Sequence, residues 1–207
     1  MFRNIVALFG AVLCLTAVAG ENIALPKVSD APGKSIKESL QLRKSSRSYA
    51  DKELSLQQLS DLLWAANGFN RPKMRTNATG MNKQSIEIYV CMAKGAYRYD
   101  AANNTLVWIT DEDLRPAVAG RQPFAATAPV CLVVAADLSD PIYDSARGVT
   151  MSAYDAGIVS GNIYLFCSGN DLATICRLTM DADKLKSALK LSDKHCIHLN
   201  HPVGLPQ

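Results

Sequence analysis

TMSAYDAGIVSGNIYLFCS, residues 150–168, is the longest helical pattern in the chain and the stretch on which the fold turns. Met151, Tyr154, Ile158 and Leu165 mark one face, and Val159, Ile163 and Phe166 widen it. A helix apolar over so much of its girth is buried in a core or an interface. Upstream, Val130 to Ala136 is a β-branched run suited to a buried strand. Downstream, the pattern predicts a strand around Leu172 to Arg177, a helix from Asp181 to Leu191 and a final strand near Lys194 to Leu199.

Further from that helix, Ser35 can cap a short helix running to about Arg43. Ser55 with Gln58 makes a capping box, and Leu56, Leu59, Leu62 and Leu63 form the apolar stripe of a helix ending near Gly68. Gly68 to Lys83 is polar and rich in Arg, Asn and Gly, which predicts a loop of a length that is often functional. Ile86 to Met92 reads as a strand. Tyr97 to Tyr99 and Leu106 to Ile109 read as a hairpin joined through Asp100 to Asn104, with a short helix after Asp111. The succession is α+β. Residues 35–207 make one domain with one sizeable core, preceded by an extended arm over 20–34.

The first residues set the compartment. Arg3 precedes an uncharged apolar run from Ile5 to Thr16, and Ala17-Val18-Ala19 offers a small-x-small cleavage pattern. That order is a secretory signal over 1–19, so the mature protein is expected to be exported, periplasmic or extracellular. The run is shorter than the roughly 20 residues of a membrane span, and Leu13 before Cys14 argues against a lipoprotein. Loss of Arg3 lowers the net charge from +3 to +2. With no basic stripe interleaved with aromatics, a nucleic-acid partner is disfavoured.

Cys91, Cys131, Cys167, Cys176 and Cys196 remain in the mature chain, an odd number without metal-ligand spacing. Most sit in apolar stretches, so buried thiols are expected, with one or two disulfides as the alternative. On a regular strand His195 and His201 would face one way and His198 the other, so no metal site is expected there. The tryptophans and tyrosines read as core or rim aromatics.

The densest functional signal is Arg43-Lys44-Ser45-Ser46-Arg47-Ser48-Tyr49. Two guanidiniums, an ammonium and hydroxyls form a donor cluster suited to a phosphate, although many basic heptads are merely solvated surface. Its position before helix 55–67 resembles the Arg-x-Ser-x-Arg/Lys element of the nitroreductase family of flavoproteins. The resemblance continues in order through Ala78 to Gln84, Gly120-Arg121-Gln122 ahead of Ala128-Pro129, the helix from Asp155 to Leu165, Ser168 to Thr174, and Val203-Gly204-Leu205-Pro206. The layout from Gly68 to Tyr99, with Arg75-Thr76, is similar to the thiazoline/oxazoline-forming dehydrogenase branch.

The resemblance implies a central, mainly antiparallel sheet flanked by helices, a two-fold homodimer, and FMN held between subunits. It implies that Arg43, Lys44, Ser45 and Arg47 hold the phosphate and ribityl end. Asn82 would reach the flavin from the partner chain, Gln122 would meet the polar ring edge, and backbone amides from Thr174 through Cys176 to Arg177 would approach N5. The flavin carries the redox chemistry, so no catalytic acid, base or nucleophile is expected from the chain. Ala78 and Thr79 replace the family's Pro and Ser, and the basic tail of many relatives is lacking. Export also separates the protein from NAD(P)H. The expected activity is transfer of two electrons from a reduced small-molecule donor to a nitroaromatic, quinone-like or peptide-derived acceptor. The rival readings are an exported, non-catalytic flavin- or ligand-binding protein and a structural dimer that has lost FMN.

Overall fold

Both expected helix caps form, and each is a capping box. In the computed structural model, which describes residues 20–207, Ser35 and Glu38 cap α1 (Ile36–Leu42), and Ser55 and Gln58 cap α2 (Leu56–Asn67). The expected signal segment, 1–19, lies outside the described residues. After the arm's short β1 (Ile23–Ala24), the predicted loop contains a small hairpin, β2 (Phe69–Arg71) with β3 (Met74–Arg75), and a 3-10 turn at Gly80–Asn82. Polar composition hid that hairpin, whose strands are too short for alternation to show.

β4 (Ile86–Met92), β5 (Gly95–Asp100), β6 (Thr105–Thr110), β7 (Val130–Asp137), β8 (Ala173–Thr174) and β9 (His195–Gly204) join β1 in one sheet of order β1-β6-β5-β4-β7-β9-β8. Every pairing is antiparallel. α3 (Arg115–Ala119) and α5 (Ala182–Ala188) cover one face, while α2 and α4 (Ala146–Gly169) cover the other. Hence Val130, Leu132, Val134 and Ala136 pack towards α2 and α4, and Cys131, Val133 and Ala135 pack towards Val118 and Leu185. Burial on both faces is why β7 is an unbroken apolar run.

α4 begins four residues before the expected start, because Ser145 caps it by accepting the Gly148 amide. Its buried side is Ala156, Val159, Ile163 and Cys167, interspersed with Ser152, Asp155 and Ser160. The face marked by Tyr154 and Ile158 points outward instead, with Tyr154 71% and Ile158 41% exposed. Small and polar residues on the inner face lowered its apparent hydrophobicity and concealed it.

β9 runs to Gly204, beyond the expected end at Leu199, and a bulge corrects the expected histidine alternation. Leu199 pairs with Val134 and Ile197 with Ala135, leaving His198 as the extra residue. His198 and His201 therefore both reach α4, bonding Ser152 at 2.9 Å and Ser160 at 2.8 Å. His195 lies 3.3 Å from Glu87. Among the described residues no three His, Cys, Asp or Glu side chains gather as metal ligands, and no helix is long and apolar enough to cross a membrane.

All five described cysteines are free thiols. Burial raises the Cys91, Cys131 and Cys167 thiols, Cys131 to about 12, whereas Cys176 and Cys196 are only half-buried, contrary to a uniform buried set. A thiol reagent is expected to label those two in the folded protein and the other three only after denaturation. Rapid labelling of all five without denaturant would contradict this core.

Candidate functional site

The basic segment after α1 is stitched across the end of the sheet. Ser46 donates its amide to Thr174 O at 2.9 Å, and Ala50 donates to Leu205 O at 2.9 Å. The buried Tyr49 donates its hydroxyl to Ser46 O at 3.1 Å. These bonds fix the backbone while Arg43, Lys44, Ser45 and Arg47 remain exposed. Arg43 and Lys44 line a cavity of about 460 Å³ with Tyr164, Ser168, Asp171 and Thr174. Asp171, its one carboxylate, lies 2.6 Å from Lys34.

Tyr164, expected only as a core or rim aromatic, organises this cavity. Its hydroxyl accepts the Cys176 amide at 2.8 Å and lies 2.9 Å from Ser45 Oγ. Either hydroxyl can donate in the Ser45–Tyr164 bond, so the pair keeps both donor and acceptor capacity at the cavity rim. The Arg43 guanidinium sits 5.3 Å from the Tyr164 ring centroid. The signal that could have singled it out is helical spacing, since Ser160 and Ser168 flank it at one turn.

Behind Tyr164, fully buried His201 meets its ring edge-on at 5.3 Å. One ring nitrogen is 2.8 Å from Ser160 Oγ and the other 3.0 Å from Thr174 Oγ1, which also lies 3.0 Å from Pro202 O. Burial drives the His201 pKa down to about 3, so the ring is neutral. Thr174 is thus turned inward, and its side chain serves the wall of the cavity.

The second cluster forms around Arg177. Its Nε donates to Gln122 Oε1 at 2.9 Å, and its terminal nitrogens donate to Val118 O, Ala119 O and Asn200 Oδ1. Its backbone amide donates to Asn200 O at 2.9 Å. The Cys176 and Arg177 amides, expected to face a ligand, are therefore engaged within the chain. Gln122 is exposed beside them.

Asn82 stands apart. Its turn is latched to α4 by buried Asp155, whose carboxylate accepts the Gly80 amide at 3.1 and 3.2 Å. A Cβ on Gly80 would lie 2.3 Å from Met151 Sδ, so a larger residue here requires the Met151 side chain to move. Asn82 Oδ1 accepts from Gln84 at 2.8 Å, and its amide NH2 stays exposed. Nine residues of helix separate Asp155 from Tyr164, about 14 Å along the axis. One chain therefore does not bring Asn82 to the Arg43 cluster.

The sequence model of the Nitroreductase family matches residues 40–205. "Putative nitroreductase MJ1384" of Methanocaldococcus jannaschii is 28% identical over 174 residues, 78% of this chain and 86% of that protein. The crystal structure of a "putative nitroreductase" from Ralstonia eutropha superposes with a TM-score of 0.84 at 30% identity, over 92% of this chain and 91% of that one. An "FMN-dependent Nitroreductase" from Clostridium difficile, 18% identical, shares the fold with a TM-score of 0.60 over 83% of this chain and 87% of its own.

Proposed function

The chain belongs to the nitroreductase family, and on that premise we propose that it is an FMN-dependent oxidoreductase. It takes two electrons from a reduced donor and passes them to a small nitroaromatic, quinone-like or peptide-derived acceptor. The observation that carries this reading is the chemistry of the Arg43–Tyr164 cavity. Arg43, Lys44 and Ser45 offer donors beside a cavity whose single carboxylate is paired with Lys34. Such a donor set fits a phosphate ester. Arg43, Lys44 and Arg47 hold the phosphate, Ser45 binds the adjoining hydroxylated chain, and Gln122 meets the ring edge. The flavin supplies reversible two-electron chemistry, while the protein orients it and excludes water.

Protein purified without added cofactor should show a flavin band near roughly 450 nm. Bleaching by a reductant and recovery with a nitroaromatic or quinone support the enzyme. A band that neither bleaches nor recovers favours a binding protein, and a colourless protein that takes up no FMN overturns the reading.

The active form is a two-fold dimer. Tyr154, Ile158 and Val149 on α4 lie exposed, as does Met81 on the Asn82 turn. Gly157 and Gly161 open the same helix face, and a Cβ at either would meet nothing within 4 Å. Each helical glycine costs roughly 0.5–1 kcal/mol relative to alanine, without any packing within its own chain to require it. Close approach of a second α4 supplies that requirement and brings Asn82 to the partner's cavity. Gly161→Leu is expected to halve the mass in light scattering without lowering the chain's melting temperature. A variant that stays dimeric would remove this interface. The 1–19 segment supports export, which N-terminal sequencing of the mature protein tests by a start at Gly20.

A further inference from the structure

Arg177 is a buried cation that no carboxylate approaches within ion-pair distance among the described residues. Its charge is met by neutral oxygens: Ala119 O and Asn200 Oδ1 at 2.8 Å, Gln122 Oε1 at 2.9 Å and Val118 O at 3.1 Å. A guanidinium has five N–H donors and no acceptor. The Gln122 atom facing it must therefore be the carboxamide oxygen. Both partners are rigidly mounted. Arg177 and Asn200 exchange backbone bonds of 2.9 and 2.8 Å, while Gln122 donates its amide to Ala119 O and accepts from the Ala125 amide, each at 3.0 Å.

A free glutamine is indifferent, since half a turn exchanges its donor and acceptor ends. This one is not. Resting on the flavin reading above, we propose that Arg177 is a positioning residue that locks the Gln122 amide with its NH2 outward, making the ring-edge subsite select a hydrogen-bond acceptor. Its target is a carbonyl oxygen or unprotonated ring nitrogen, not the N3–H that lies between the two carbonyls of a flavin. A fixed donor facing an edge of alternating acceptors and one donor also fixes the ring's lateral position.

Gln122→Glu tests this with almost no change of shape. The carboxylate keeps an oxygen on Arg177 and gains an ion pair there, while the outward NH2 becomes a second acceptor. The variant is expected to melt at or above the wild-type temperature yet bind FMN roughly tenfold to hundredfold more weakly. Riboflavin, which lacks the phosphate, should lose affinity by the same factor, because the ring edge is common to both. Gln122→Met, which removes the donor without adding a repelling oxygen, should fall between wild type and Gln122→Glu, and it serves as the probe if the glutamate variant does not fold. Fluorescence titration of each protein with both flavins reads the outcome. Unchanged FMN affinity in Gln122→Glu, or a loss for FMN without one for riboflavin, overturns the positioning role while leaving the functional reading intact. Wild-type protein that binds neither flavin overturns both.

Discussion

Replacing Arg43 and Arg47 together with alanine is expected to weaken FMN binding by about two to four orders of magnitude, since each charge-assisted bond to phosphate contributes about 1.5–3 kcal/mol. The same change should leave the flavin-free protein's melting temperature within about 2 °C of wild type. Both side chains are exposed, and neither forms an ion pair among the described residues. Their backbone is held by the Ser46–Thr174 and Ala50–Leu205 bonds, which alanine leaves in place. Lysine at both positions should recover part of the affinity, keeping the charge but not the planar fork. Isothermal titration decides it. An unchanged dissociation constant in the double alanine variant moves the phosphate elsewhere.

Acid should loosen the protein through His201 well before most carboxylates titrate. The ring stays neutral in the folded chain down to about pH 3, held by burial, and titrates near its ordinary value when unfolded. Between those values the unfolded state binds more protons, so stability is full above about pH 6.5 and declines as pH falls towards 3. The separation corresponds to roughly 4–5 kcal/mol over the whole window, of which about 2 kcal/mol is lost between pH 6.5 and 5. His198, also depressed by burial, contributes in the same direction. Urea unfolding at half-unit steps from pH 7 to 5 measures the slope. His201→Leu should lower stability at pH 7 by roughly 1–3 kcal/mol, because Ser160 loses a partner, and make the slope shallower. An identical slope in the variant would place the acid sensitivity elsewhere.

The parts of the molecule legible in the sequence were those written locally. Ser35, Ser55 and Gln58 announced their helices, because a cap satisfies amides only a turn away. The strands β4 and β7 were visible as apolar runs, though not their pairing, and the basic cluster in the composition of Arg43 to Arg47. What stayed hidden depended on partners distant in sequence. Tyr164 acquires its role only when Ser45 and Cys176 are folded onto it from either side. Arg177 was placed in the site for its backbone amide alone, and the role of its side chain emerges only when five oxygen contacts, side chain and backbone together, enclose it. The β9 bulge reversed the expected facing of His198, because strand alternation assumes one residue per opposing residue and cannot foresee a local excess.

The length of α4 has a consequence for which sequence changes the protein tolerates. A helix advances about 100° of rotation per residue, so everything it carries is fixed in phase as well as in distance. Asp155 must face the Gly80 turn while Tyr164 faces Ser45. A single residue inserted between them would rotate Tyr164 by more than a quarter-turn away from the basic segment, although every original side chain remained. The same insertion between the exposed Ala93 and Lys94 would instead lengthen a surface turn. Length variation within this fold should therefore gather in turns and vanish from the Asp155–Tyr164 interval, where the count of residues is itself part of the site.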